Sequence, residues 1–578
     1  MNIDSLSAPG AEPEPLPEGF AMRKDGLWFI EQDSDSGPPK ELWLCAPLKV
    51  LGQTRDRASN AWGLLLQWAD PDGKPHTWAM PRELLAGRDA SAWLGRLMDE
   101  GLTIASSRKA RNMLGLFLAT YKTGQRVLCV SSTGWHDGVY MLPDGMIGFY
   151  EKGQIVLQAR SVRNPFRMGG SMVGWQDSLA AWVMGNSRLI MSLSSSLAAP
   201  LMLPAGLESG GFNFSGSSSI GKTTSLEVAA SCWGSGRTGG FVQTWRATVN
   251  GFEALAALHN DSLLALDEIS QCPAQSIAEA AYLLANGQGK SRAAQDGALR
   301  ETKCWRCMIL STGEAGLAAR LAEEGRQVKA GQEVRLLDIP ADAGAGLGLF
   351  ENIHGFNSAQ AFADALKKAA STHYGHAARI FIKSFIENRS EAEQALRAGL
   401  NNHLDSICPA NADGQVRRAA RRFMLCALAG EMAIEWQMLP WEPGTALKAI
   451  KRCFADWLEQ RGGVGPQEDK AVLNQIRLFF EQHGGSRFQR IDNHDSPVLN
   501  RAGFREETDG ETVYYILPES FQEICQGHNA KRAAKVLKLA GMLKTDGERL
   551  QQWFPSLPGL GRQRGYILRF SDDQEKEF

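Results

Sequence analysis

Gly216-Ser217-Ser218-Ser219-Ile220-Gly221-Lys222-Thr223-Thr224 follows a short apolar run, Gly211-Phe-Asn-Phe214, and opens a segment with helical spacing that reaches Ala230. Strand, glycine-rich loop and helix in that order make a P-loop. The backbone N–H groups of such a loop wrap a nucleotide's phosphates. Lys222 reaches the β- and γ-phosphates, and the Thr223 hydroxyl is placed on Mg²⁺. The stretch therefore predicts binding of ATP with Mg²⁺, on a strand and helix of an α/β fold.

Downstream, Ser262-Leu-Leu-Ala-Leu-Asp267-Glu268 is an apolar run ending in two acids. The run suits a strand buried on both faces, with its acids emerging at the C-terminal end where open α/β sheets bind ligands. Asp267 is the expected Mg²⁺ residue, directly or through water. Glu268 is expected to orient or deprotonate the attacking water, which favours hydrolysis over simple binding. A third strand, Cys307-Met-Ile-Leu310, ends in Ser311-Thr312-Gly-Glu314. AAA+ ATPases keep their first sensor at this place, so Thr312 or Ser311 is set to touch the γ-phosphate or the water; a strand-to-helix cap is the alternative for either. Glu333-Val-Arg-Leu-Leu-Asp-Ile339 is a fourth strand with Arg335 near its start. Arg335 is either an arginine that reaches a neighbouring subunit's γ-phosphate or half of a surface ion pair, with Arg320 as the second choice of finger. Gln415-Val-Arg-Arg-Ala-Ala-Arg-Arg422 opens an apolar helix. Arg418 is the first candidate there for a second sensor, with Arg421 and Arg422 behind it; a solvated face explains the same residues.

A chain of 578 residues exceeds a single core at about 100–200 residues per domain. Residues 1–20, rich in Pro, Glu, Gly and Ser, read as a disordered tail. An α+β region rich in short Trp-bearing strands is expected over 21–174, with a hairpin formed by Trp62–Trp68, a Pro71-Asp-Gly-Lys74 turn and Thr77–Met80. The ATPase core is placed at 175–349, a helical lid at 350–463, and a winged-helix-like domain at 464–578, after the linker Gly462-Gly-Val-Gly-Pro466. No apolar run is long enough to span a bilayer. The first residues carry acids and prolines where a signal peptide is basic and then apolar, so a cytoplasmic location is expected. Ten scattered cysteines fit reduced thiols. The lone Cys304-Trp-Arg-Cys307 reads as the entry to a buried strand rather than half of a zinc site.

Net charge is −2, which leaves room only for local basic surfaces. One is an extra segment ahead of the sensor strand, Gly287-Gln-Gly-Lys290-Ser-Arg292 through Asp296-Gly297 to Arg300-Glu-Thr-Lys303, read as a hairpin on its Asp-Gly turn. A hairpin at this place resembles those of superfamily-three and minichromosome-maintenance helicases. There it projects into a ring's channel and holds DNA phosphates, which points to Lys290, Arg292 and Arg300. A second basic surface spans Ala530 to Phe570, with nine Lys/Arg against two acids. It contains the expected third helix of the winged-helix-like domain, Lys531–Ala540. A ribbon from Leu543 to Phe570 follows, with Lys544, Arg562 and Arg564 available to phosphates.

Over roughly residues 20–470 the chain resembles a bacterial and phage family catalogued as domain of unknown function 927. The resemblance rests on Thr133-Gly-Trp135, the P-loop through Trp233-Gly234, and Trp245-Arg-Ala-Thr-Val-Asn-Gly251. It continues through Leu266-Asp-Glu-Ile269, Ala281-Tyr-Leu-Leu-Ala-Asn-Gly-Gln-Gly-Lys290 and Ser311-Thr-Gly-Glu314. Arg421-Arg-Phe423, Ala429-Gly-Glu431, Trp457 and Arg461-Gly-Gly463 complete it. The family is encoded on phages, plasmids and genomic islands, and some relatives look like hexameric, minichromosome-maintenance-like helicases. The resemblance implies an ATP-driven DNA translocase or helicase that forms a homo-oligomeric ring and replicates a mobile element. A regulatory AAA+ switch that remodels a protein partner is the alternative from another class. A small-molecule P-loop kinase is disfavoured by Glu268 and the large flanking domains.

Overall fold

Five parallel strands form the centre of the chain: β1 (Gly210–Ser215), β2 (Gln243–Thr244), β3 (Leu263–Asp267), β4 (Met308–Gly313) and β5 (Leu336–Pro340). Their order across the sheet is β2-β3-β4-β1-β5, and every neighbouring pair is parallel. Parallel neighbours need crossover connections. Helices α1 (Lys222–Ala230), α2 (Val249–Leu258) and α3 (Ala274–Asn286) lie in the first three. β1 and β4 are buried along their whole length and β3 is buried up to Asp267, as continuous apolar runs require. The chain turns back across the sheet at β1, so the P-loop leaves the C-terminal edge at the switch point where such sheets bind ligands.

This architecture comes from a computed structural model that describes residues 15–31, 39–87, 89–158, 164–290, 302–322, 335–492, 498–508 and 511–571. Contacts divide the chain into two units, Met1–Ile407 with Ala419–Trp457, and Cys408–Arg418 with Leu458–Phe578. The C-terminal unit thus begins at Leu458, a few residues before the expected boundary at 463/464, and Cys408–Arg418 belongs with it. Arg461 accounts for part of this. Its guanidinium donates to the carbonyls of Gly463 and Gly465 and to Gln415 Oε1, and pairs with Asp413 at 3.4 Å.

Ahead of the parallel sheet the described residues of the larger unit form two three-stranded sheets and one five-stranded sheet. The expected hairpin is present: Gly63–Ala69 pairs antiparallel with Pro75–Pro81, placing Trp68 across from His76. Trp68, Trp78 and Trp93 are buried in one apolar cluster, so these indoles pack a core. Helix Ser187–Ala198 is buried at every residue, and helices Ala359–Thr372, Ala377–Glu387 and Arg389–Asn402 follow the sheet.

In the C-terminal unit, helix Gln467–His483 precedes a five-stranded sheet ordered Phe488–Arg490, Gly503–Thr508, Glu511–Ile516, Arg564–Ser571, Gln552–Trp553. Helices Pro518–Ile524 and Ala530–Leu539 lie between its third and fourth strands in sequence. Three strands precede these helices where the sequence suggested two. The expected ribbon is not free-standing, because Arg564–Ser571 also pairs with Glu511–Ile516.

Candidate nucleotide site

The loop between β1 and α1 is shaped by glycine. Gly221 caps α1 in a left-handed conformation (φ 101°), and a Cβ there would meet the Phe350 ring at 3.0 Å. α1 begins at Lys222, so its first N–H groups face the loop, an arrangement suited to phosphate. Lys222 is nearly buried. Its Nζ donates to the carbonyls of Gly216 and Ser217, both at 2.6 Å. Burial lowers its pKa, while Glu268, Glu314 and Asp267 oppose that shift.

β3 brings its two acids to the same edge. Thr223 Oγ1 lies 3.2 and 3.3 Å from the Asp267 carboxylate oxygens. Thr312 Oγ1 donates to Asp267 Oδ1 at 2.6 Å and accepts from the Glu268 N–H at 3.0 Å. One buried hydroxyl on β4 thereby holds the Asp267 carboxylate and the backbone of Glu268, the residue that follows β3. Glu268 has a left-handed backbone (φ 58°), and its Oε1 accepts from Ser270 Oγ at 2.6 Å. Hydroxyl and carboxylate oxygens side by side are the donor set that a hard divalent cation takes, so Thr223 and Asp267 fit Mg²⁺.

Ser311 points elsewhere. Its Oγ accepts from the Trp245 indole at 2.8 Å within the core. Successive strand residues face opposite ways, so of the two sensor candidates only Thr312 meets the acids. Trp245 is itself held to β3, its N–H donating to the Asp267 carbonyl at 3.2 Å. Thr248 caps α2 by accepting from Gly251 N. These contacts account for two positions of the Trp245–Gly251 motif.

Other candidates are dispersed. Arg335 directly precedes β5, at the N-terminal edge of the sheet. It lies 3.8 Å from Glu208 and 5.9 Å from the Tyr282 ring centre. Arg320 lies on helix Leu317–Ala322, beyond the C-terminal end of β4, where its charge partly opposes the burial that raises the Cys272 thiol's pKa. Helix Gly414–Glu435 carries Arg418, exposed and in the C-terminal unit, and the exposed Arg421. Arg422 is buried beside Glu208 and Ser209, and burial lowers its pKa to about 10. Lys290 pairs with Glu279 of α3 at 2.6 Å, both side chains exposed. The base of the extra segment is antiparallel, with Gly289 N donating to Lys303 O and Trp305 N to Gly287 O. Arg292 and Arg300 lie outside the described residues. Cys307 is buried at the entry to β4, while Cys304 is exposed.

Sequence reasoning missed several residues. Glu314, one of the carboxylates acting on Lys222, was visible in Ser-Thr-Gly-Glu but had no assigned role. Glu227 on α1 is buried, which raises its pKa to about 7; Lys367 opposes the shift and Asp267 adds to it. Asp261 accepts from the Trp135 N–H at 3.1 Å, and Asn260 donates to the Thr133 carbonyl at 2.7 Å. A Cβ on Gly134 (φ 90°) would lie 2.5 Å from Asp261 Oδ2, so Thr133-Gly-Trp135 docks its strand onto the turn before β3. No sequence pattern links those two stretches.

Residues 20–304 match the family described as domain of unknown function (DUF927). The matched stretch contains the P-loop and the Asp267-Glu268 strand. No curated protein matches the chain. Among solved structures, SCCmec type IV Cch, described as an active helicase, is similar with a TM-score of 0.72 and 18% identity, covering 96% of this chain and 98% of that one. The two share a mixed α/β fold.

Proposed function

We propose that the chain is an ATP-driven DNA helicase of a mobile genetic element, with an AAA+ core and a ring of identical subunits. The observation that carries the reading is the cluster in which Thr223, Asp267, Thr312 and Glu268 are joined by hydrogen bonds beside Lys222. It sits at the C-terminal edge of a sheet ordered β2-β3-β4-β1-β5, the strand order of AAA+ ATPases. The likeness to a helicase of the SCCmec mobile element supports the same reading.

Residues 216–224 hold the phosphates, and Thr223 with Asp267 holds Mg²⁺. A metal held there would supply charge neutralisation for the nucleotide's phosphates. Lys222 turns from the Gly216 and Ser217 carbonyls to the phosphates. Glu268 leaves Ser270 and takes the proton of the attacking water. Thr312 keeps both acids in position. Leu336 of β5 is in register with Gly211 and Pro340 with Ser215. Arg335 is therefore about 17 Å from its own P-loop, five residues at about 3.3 Å each. In the proposed ring, any contact between Arg335 and a γ-phosphate would therefore be with a neighbouring copy's nucleotide, made after Arg335 leaves Glu208. Arg418 is the proposed second sensor of a helical lid. Lys290, Arg292 and Arg300 are the proposed DNA contacts, and the C-terminal unit acts as a winged helix.

The test is ATP turnover and nucleotide binding of Glu268→Gln beside wild type. The reading requires binding to persist while turnover falls at least a hundredfold, on the order of a lost catalytic base. Undiminished turnover would remove Glu268 from the mechanism. A protein-remodelling switch would instead hydrolyse ATP with no response to DNA.

A further inference from the structure

One arrangement in the C-terminal unit has no part in nucleotide chemistry. Strand Gln552–Trp553 pairs antiparallel with the start of Arg564–Ser571, placing Trp553 directly across from Arg564. The guanidinium carbon of Arg564 lies 4.4 Å from the Trp553 ring centre, and that of Arg562 lies 4.7 Å away. Both arginines are exposed, and Trp553 is 46% exposed. Among the described residues neither arginine has a carboxylate within ion-pair distance.

Core packing does not explain the cluster. Neighbouring strand residues face opposite ways, and here Phe554 takes the inward position, packed against the Tyr515 ring at 5.8 Å. Trp553 takes the outward one. Gathering two guanidinium groups on one exposed indole sets like charges together, and each cation–π contact is weak where water competes. The arrangement instead holds two planar cations over one exposed aromatic ring, a face that a base would take over as the guanidinium groups move from the ring to its phosphates. A ligand that satisfies both features has a stacking surface joined to an anion by a short linker such as a sugar.

We propose that Trp553, Arg562 and Arg564 form a clamp for an unpaired nucleotide, with the base on the indole and its phosphates on the arginines. Bases inside a duplex are stacked on each other and present no free face, so the partner is a single strand or an opened duplex end. An acidic peptide would use the arginines but leave the indole idle. The surroundings match a polyanion: Lys531, Lys535 and Lys544 are exposed nearby in sequence, and Ala530 to Phe570 holds nine Lys/Arg against two acids. The choice of DNA over RNA rests on the helicase reading; the clamp itself does not.

The experiment is equilibrium binding of labelled single-stranded and blunt duplex DNA to the full chain without nucleotide, over a range of salt. Because no ATP is present, a failure of the hydrolysis reading leaves this measurement intact. Trp553→Ala is expected to weaken single-strand binding about tenfold, with an unchanged salt slope and unchanged duplex binding. Trp553→Phe should recover most of the loss, since a phenyl face still stacks. Arg562→Ala/Arg564→Ala should reduce the slope of log affinity against log salt by about 1.4, two phosphates at about 0.7 each. A 2-aminopurine base in the strand should be quenched by wild type and not by Trp553→Ala. Wild-type affinity and quenching in Trp553→Ala would overturn the clamp. So would an equal loss for single strand and duplex, or a Trp553→Phe protein as weak as Trp553→Ala.

Discussion

Ser311 and Thr312 are adjacent hydroxyl residues on one strand, both buried, and their replacements should separate rate from stability. Thr312→Val keeps the side-chain shape and removes the oxygen that bonds Asp267 at 2.6 Å and the Glu268 N–H at 3.0 Å. A hydrogen bond to a charged group contributes about 1.5–3 kcal/mol. If about 2 kcal/mol of that acts on the position of the acids in the transition state, turnover falls roughly thirtyfold. Ser311→Ala removes the acceptor of the buried Trp245 indole, at a cost of about 1–3 kcal/mol of stability, and touches neither acid. Both proteins should melt below wild type, so melting alone does not distinguish them. The assay is steady-state ATP turnover at saturating ATP, well below either melting temperature. Thr312→Val should be slow and Ser311→Ala close to wild type. Equal turnover in the two, or the reverse order, would refute the assignment of Thr312 as the residue that positions the acids.

Other predictions follow from residues around this cluster. Burial holds the Glu227 carboxyl at a pKa of about 7, so the folded state keeps a proton that the unfolded chain releases near 4.5. Stability from this group is then full below about pH 4.5 and is lost as pH rises to about 7. Glu227→Gln should have a larger free energy of unfolding than wild type at pH 8, by up to about 3 kcal/mol, and the advantage should vanish by pH 4.5; a pH-independent difference would contradict the shift. Arg335→Ala should bind ATP normally and hydrolyse it poorly. Mixing it with Lys222→Ala, which supplies the arginine but not the lysine, should restore turnover if sites are shared between subunits. The triple change Lys290→Ala/Arg292→Ala/Arg300→Ala should abolish DNA stimulation of turnover and spare the basal rate; unchanged stimulation would remove this segment from the DNA track.

The parts of the fold carried by local pattern were legible. Apolar runs ending in Gly-rich or acidic residues gave β1 and β3, with ends shifted by a residue or so from those observed. The two-residue β2 was invisible, because Gln243-Thr244 is too short to show any periodicity; its register beside Leu266 and Asp267 is set by tertiary pairing. Ser311 and Thr312 could not be told apart because β4 is buried on both faces, which erases the alternation that would show which hydroxyl faces the acids. The sequence offered Arg335 as a finger or half of a surface ion pair, and Arg422 as a reserve second sensor. Only the fold shows that Arg422 is buried, which lowers its pKa, and that Arg335 is close enough to add to that shift. The division within helix Gly414–Glu435 was not legible for a related reason. The sequence of helix Gly414–Glu435 is continuous, while its first residues belong with Arg461 and the C-terminal unit.

The central claim is that hydrolysis at the Lys222–Asp267–Glu268 cluster drives strand separation. Its most direct measurement is release of a labelled strand from forked DNA with ATP and Mg²⁺, wild type beside Glu268→Gln. The account predicts ATP-dependent release by wild type and none by the variant, although both bind ATP and the fork. Wild-type protein that hydrolyses ATP on the fork without releasing the strand, or a variant that releases it as well as wild type, would contradict the account.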